Sequence, residues 1–125
     1  MPVRYSAQTS EGAVTPQDYK AGQNESAFRD INEHLQGLNP ERAGASSPYV
    51  CECWKAGCTE IIHLTGAEYE HVRSDSRWFV VRPEHVSIDV ERVMERHSGY
   101  WIVEKFGASA KIANITDARR EPPAP

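Results

Sequence analysis

The chain has 125 residues, with 14 lysine and arginine side chains against 18 aspartates and glutamates and a formal net charge of −4. This length suits one domain, and the interleaved charges lack the basic stripe of a duplex-binding protein. No apolar run reaches membrane-spanning length, and residues 1–11 have no signal-peptide core. We therefore expect a cytoplasmic protein with no membrane partner.

The two ends of the chain differ in composition from its middle. Residues 1–15 and 116–125 are rich in small, polar and proline residues, which predicts flexible tails around a single domain at 16–115. A first helix is predicted from the Thr15-Pro16 start signal, with Asn24 as an alternative start. Its apolar residues are spaced three, four and three apart and form one apolar stripe: Phe28, Ile31, Leu35 and Leu38.

The middle of the chain predicts strands with one more helix among them. Residues 49–54 and 59–64 look like a strand pair, and Thr65 with Glu68 forms the capping box of a second helix. Residues 77–82 predict a strand that Pro83 ends. Residues 87–96 fit a helix or a strand, but the Ser98-Gly99 turn before the strand-like 100–106 favours a hairpin.

These elements together predict an α+β fold. An N-terminal helix is followed by a cysteine-bearing strand pair, a second helix, a strand and a C-terminal hairpin, which form a small and mostly antiparallel sheet.

Three cysteines, Cys51, Cys53 and Cys58, lie within eight residues. On a strand, residues two apart place their side chains on one face, and Gly57 gives the chain freedom to turn before the third cysteine. An odd number of cysteines in a reducing compartment fits a disulfide framework poorly. The pattern therefore predicts a structural Zn²⁺ site that staples the domain.

Tetrahedral zinc needs a fourth ligand, and two histidines compete for that role. If 59–64 is a strand, His63 would lie about 13–16 Å along it from Cys58, too far to complete the site. His85 follows Pro83 at the end of a strand, where a turn can return the imidazole to the sulfurs. His85 is favoured, and His63 stays open as the alternative.

Other interpretations of the cysteines are weaker. Free cysteine is often simply a small buried hydrophobic residue. A redox pair of Cys53 and Cys58 would not form a Cys-x-x-Cys motif. A zinc held by three cysteines and water would be catalytic, but the His-x-Glu and Pro-Cys-x-x-Cys signature of zinc deaminases is absent from the sequence. We therefore expect no enzymatic activity and no small-molecule substrate.

The function expected from such a site is contact with another macromolecule. Trp54 and Lys55 lie in the metal loop, and exposed tryptophan is typical of interface hot spots, so a protein-interaction or regulatory module is favoured. Trp78 and Trp101 are expected in the core. The alternative is a nucleic-acid or ribonucleoprotein-associated module, in which Trp78 would be a stacking platform and five arginines would form the patch: Arg73, Arg77, Arg82, Arg92 and Arg96.

Four blocks of the sequence carry a family resemblance: NESAFRDINEHL, YVCECWKAGCTEIIHLTGAEYEHVRSD, WFVVRPEH and ERVMERHSGYWIVEK. They resemble an uncharacterised family of short actinobacterial proteins, with a Cys-x-Cys-x₄-Cys block before an LTxxEYExVRxD helix, over about residues 24–106. The resemblance implies that His85 is the histidine of a proline–glycine–histidine turn, with Glu84 in place of the glycine. It also implies an acidic or polar residue at the position of His63, which supports His85 as the ligand.

Overall fold

The computed structural model describes residues 16–38, 45–55 and 57–119, and the predicted tail at 1–15 lies outside them. In these ranges the chain forms three helices and five strands: α1 Pro16–Leu38, β1 Ser46–Val50, β2 Ile61–Thr65, α2 Gly66–Val72, β3 Trp78–Val81, β4 Glu91–Arg96, β5 Trp101–Lys105 and α3 Ala108–Ile115. The predicted α+β class is confirmed. None of the helices in the described ranges combines the length and the apolar character that a membrane crossing needs.

The strands form two antiparallel sheets, β1–β2 and a three-stranded sheet in the order β3-β5-β4. Residues 91–96 are a strand that pairs with β5, so the predicted hairpin is confirmed, with a register shift between Val93 and Glu95. The capping box is also present, because the Glu68 N–H donates to Thr65 Oγ1 and the Thr65 N–H to a Glu68 carboxylate oxygen. One apolar cluster joins the sheets, and both Trp78 and Trp101 pack against it.

The apolar stripe of α1 is only partly buried. Ile31 is 46% exposed and Leu38 63% exposed, while Phe28 is half-buried and Leu35 packs only partly against the core. Between residues 22 and 38, the side chains that α1 buries are polar: Glu25, Ser26, Arg29 and Asn32. They too recur at helical spacing, so the helix has a second stripe that hydrophobic periodicity does not detect.

The polar face of α1 is buried because each side chain meets a partner. The Asn32 amide pairs with the backbone N–H and C=O of Val50, both at 2.8 Å, much as a neighbouring strand would. The Arg29 guanidinium donates to the carbonyl oxygens of Ser76 and Ala113 and lies over the ring of Phe79. Hydrogen bonding offsets the cost of burying these groups, so α1 docks through polar contacts.

Helix α3 was not predicted. The helix starts after Gly107, whose φ is 62. Ile112 of α3 packs closely against Gly22 of α1, because a Cβ at Gly22 would lie only 2.6 Å from the Ile112 side chain. Thr116 hydrogen-bonds Ser26, and Asp117 pairs with Arg73. The contacts with the domain therefore continue beyond the predicted boundary at residue 115.

The cysteines do not lie on strands. β1 ends at Val50 and β2 begins at Ile61, so Cys51, Cys53 and Cys58 belong to the connection between the strands. We call this connection the cysteine loop (residues 51–60). A hydrogen bond from the Cys51 N–H to the Glu60 carbonyl, at 3.1 Å, closes its base. The alternation argument for a common face therefore does not apply, and tertiary contacts must bring the sulfurs together.

Glu52 makes those contacts. Its backbone N–H donates to the Val80 carbonyl at 2.8 Å, and its carboxylate accepts from the Val80 N–H at 3.0 Å. The same carboxylate accepts from Asn32 of α1 at 2.9 Å and from the Tyr69 hydroxyl of α2 at 3.2 Å. Burial raises the pKa of Glu52, and the hydrogen bonds from Asn32 and Val80 oppose that rise. One buried side chain thus joins the cysteine loop to β3 and to helices α1 and α2.

Glu52→Gln tests this role, because every partner of the carboxylate is a donor and glutamine would point an NH₂ at one of them. We expect the free energy of unfolding to fall by about 1–3 kcal/mol, the cost of a buried group left unsatisfied. Glu60→Gln, at an exposed carboxylate of the same loop, should change it by less than about 0.5 kcal/mol. Denaturant unfolding that gives equal losses for the two variants would contradict this role.

Candidate metal centre

Four side chains converge on one point. The sulfurs of Cys51, Cys53 and Cys58 and a ring nitrogen of His85 all lie within 4.8 Å of one another. His85 Nδ1 is 3.5 Å from the Cys51 sulfur and 3.7 Å from the Cys58 sulfur. A tetrahedral zinc with ordinary bond lengths separates a sulfur from a nitrogen ligand by about 3.6 Å. The cluster therefore has the dimensions of a metal site.

The sulfurs also have the hydrogen-bond donors that a thiolate site needs. The backbone N–H of Arg82 donates to the Cys51 sulfur at 3.2 Å. Backbone groups of Lys55 and Glu60 hydrogen-bond the sulfurs of Cys53 and Cys58. Three thiolates, one neutral imidazole and a divalent ion carry a net charge of −1, which such donors stabilise.

A tight turn after β3 delivers the imidazole. The His85 N–H donates to the Arg82 carbonyl at 2.9 Å, with Pro83 and Glu84 as the central residues. Glu84 has φ 72, the pattern of a type II turn, which favours proline and then glycine at these two positions. The turn begins at the residue that donates to Cys51, so it places the donor and the imidazole together.

His63, the alternative ligand, does not lie in this cluster. It is exposed on β2, opposite Pro48 of β1. His71 and His97 are also exposed, and each hydrogen-bonds a different oxygen of Glu95, at 2.7 and 2.8 Å. Of these four histidines, including His85, the structure brings only His85 to the cysteines.

The cysteines are free thiols in a protected setting, with Cys51 and Cys53 buried and Cys58 half-buried. A hydrogen bond between Cys51 and Cys53 raises the pKa of Cys51 and lowers the pKa of Cys53, while burial raises the pKa of Cys58. A divalent ion would displace the protons of these thiols, since the thiolate is the form that ligates.

The donor set fits zinc bound in a closed structural site. Three sulfurs and one imidazole are a common zinc set and supply all four positions of a tetrahedron. Soft thiolates disfavour magnesium and calcium, which prefer oxygen ligands. A metal here would cross-link the cysteine loop to the end of β3.

The two residues predicted to bind a partner lie beside the metal centre. Trp54 is 42% exposed, as expected for a contact residue, and Lys55 is also exposed. The indole forms one wall of a cleft that also contains Glu25 and Lys105. Sequence patterns did not identify Glu25 and Lys105, because these residues come from distant segments and only the fold brings them together.

Comparisons with models of protein families, with curated proteins and with solved structures find no match to this chain. The proposals below therefore rest on the geometry and chemistry of the described residues.

Single substitutions distinguish ligands from bystanders. Cys51→Ser, Cys53→Ser and Cys58→Ser should each abolish zinc retention, and His85→Ala should weaken it by at least about tenfold, because each removes a bond to the metal. His63→Ala is the matched control and should retain one zinc per chain. The measurement is zinc content after dialysis against a weak chelator. Zinc lost from His63→Ala but kept by His85→Ala would contradict the ligand assignment.

Proposed function

We propose that this chain is a small cytoplasmic zinc protein in which the metal is structural and the cysteine loop contacts a partner protein. The observation that supports it best is the convergence of three sulfurs and one imidazole within 4.8 Å. The residues belong to two segments, and a bound ion would hold those segments in fixed relation. A metal that cross-links a domain of this size adds to a limited apolar core.

A structural role is favoured over a catalytic one because protein groups fill the coordination shell. Catalytic zinc keeps a position open for water or substrate, whereas four protein ligands leave none. Burial of Cys51 and Cys53 further restricts access to the metal. We therefore propose no enzymatic role for this site.

Protein contact is favoured because of what the cysteine loop presents to solvent. Trp54 directly follows the ligand Cys53 and keeps 42% of its surface exposed. A loop fixed between ligands of one metal loses little entropy when it binds, so a large aromatic residue there can contribute affinity at low ordering cost. Tryptophan is also enriched among the residues that dominate binding energies. The loop thus has the chemistry of an interface anchor.

The nucleic-acid alternative is weaker because most of the arginines proposed for its patch are engaged. Arg73 is buried and pairs with Glu33 and Asp117. Arg77 and Arg92 both pair with Glu104, and Arg82 lies 3.6 Å from Glu60. Trp78, the proposed stacking platform, packs against the core and donates its indole N–H to Glu104 at 3.0 Å. Paired arginines attract phosphate less than free ones.

Metal removal tests the structural role. The protein purified without added metal should contain about one zinc per chain, and a strong chelator should unfold it, because the energy of a structural site is folding energy. Circular dichroism during chelation and after zinc is restored measures this. A chain that keeps its melting temperature in the chelator would show that the metal does not support the fold, and absence of zinc would remove the proposal.

Trp54→Ala tests the contact role. Because Trp54 keeps 42% of its surface exposed and is not a proposed ligand, zinc content should be unchanged and the free energy of unfolding should fall by less than about 1 kcal/mol. Trp101→Ala, at a side chain packed against the core, should cost about 3 kcal/mol. Recovery of the native partner on the immobilised protein should decrease for Trp54→Ala. A large loss of stability at Trp54 would identify it as a shield for the thiolates and contradict the contact role.

A further inference from the structure

A cleft of about 130 Å³ lies beside the metal centre. Its walls come from α1, the cysteine loop, the turn before β4 and the first turn of α3. The lining residues that matter for its chemistry are Glu25, Trp54, Ser87, Asp89, Lys105 and Ser109. The volume is close to the 150 Å³ or so of a cavity that holds one benzene molecule, so a small group of several heavy atoms fits.

The floor of the cleft carries buried charge. Glu25 is 1% exposed and Lys105 3% exposed, and the Lys105 ammonium pairs with Glu25 and with buried Glu91. Burial raises the pKa of Glu25 to about 8, with Glu91 adding to the rise and Lys105 opposing it. At neutral pH the positive charge of Lys105 is thus already balanced, and Asp89 adds a carboxylate at the rim. The cleft attracts cations more than anions.

The aromatic wall has the same preference. The face of an indole ring attracts ammonium groups, and tryptophan does so more strongly than the other aromatic residues. The Lys55 ammonium lies 5.8 Å from the centre of the Trp54 ring, so a cation in the cleft would displace it or bind the other face of the ring. The hydroxyls of Ser87 and Ser109 also line the cleft, and a hydroxyl oxygen can accept a hydrogen bond from an ammonium group.

We propose that this cleft binds an alkylammonium group, such as the end of a lysine side chain from a partner protein or a free small amine. The cation would lie against Trp54, with Asp89 and the serine hydroxyls as acceptors. Its role in recognition rests on the proposed contact function of the cysteine loop. We therefore expect a partner protein that presents a lysine side chain. The cleft would bury the end of that lysine against an aromatic residue, as in the desolvated pockets of interface hot spots.

The metal centre and the cleft share two walls. Trp54 follows the ligand Cys53 directly, and Ser87 lies two residues after the ligand His85. An ion that fixes Cys53 and His85 therefore also fixes the aromatic wall and one of the hydroxyls. Ammonium binding should therefore require the metal, so that the cleft binds its ligand only when zinc is bound.

The experiment is a nuclear magnetic resonance titration of the zinc-loaded chain with three probes: n-butylammonium, Nα-acetyl-lysine methylamide and its neutral norleucine analogue. At about 10 mM the two ammonium probes should shift the Trp54 indole and Asp89 amide signals, and the norleucine probe should not. Trp54→Leu and Asp89→Asn should each weaken binding at least about fivefold. Glu60→Gln removes the same charge outside the cleft and should leave the affinity unchanged.

The outcomes separate this inference from the proposed function. Two results would overturn the inference but not the proposed function, if the sample contains one zinc per chain. One is the absence of a shift with either ammonium probe, and the other is equal binding of the norleucine probe. Ammonium binding in a metal-free chain overturns its dependence on the metal and the structural role of zinc. Binding of both ammonium probes with similar affinity supports recognition of the ammonium group itself, and preference for the lysine probe supports a protein partner.

Discussion

The geometry of the metal centre depends on Glu52, a carboxylate buried between two of the cysteines. Its N–H and its side chain pair with Val80 on β3, as a strand would, and the same carboxylate accepts from Asn32 and Tyr69. These bonds hold the cysteine loop against the strand whose end carries His85. The apolar cluster joins the two sheets, and these bonds fix the position of the cysteine loop relative to them. A buried acid thus organises a site in which it is not a ligand.

Elsewhere in the domain, buried polar side chains also hold the helices and strands together, a role that apolar side chains have in most small folds. Arg29 binds backbone carbonyls, Asn32 completes the edge of β1, and Lys105 bridges buried Glu25 and Glu91. Such contacts specify one arrangement but contribute little net stability, because burying each group costs desolvation. A tetrahedral metal at the proposed site would complement them, since its binding energy would add directly to folding. The polar interior would thus specify the arrangement of the elements, and the metal would stabilise it.

Local signals in the sequence predicted local features well. Thr65 and Glu68 form the capping box, Pro83 ends β3 at the turn, and the spacing of the cysteines indicated a shared site. Features that depend on distant partners were missed or wrong. Glu25 meets Lys105 across 80 positions of sequence, so nothing near either residue indicates that the pair is buried. The periodicity of α1 indicated its apolar stripe but not the polar stripe that the helix buries, because hydrophobicity alone cannot detect polar residues whose partners lie elsewhere in the chain.

The central claim is that one zinc ion joins the cysteine loop to the turn after β3 through Cys51, Cys53, Cys58 and His85. X-ray absorption at the zinc edge of the purified protein measures the coordination shell directly. We expect three sulfur atoms at about 2.3 Å and one nitrogen at about 2.0–2.1 Å. A shell with fewer than three sulfurs, or with a water oxygen in place of the imidazole, would contradict the claim.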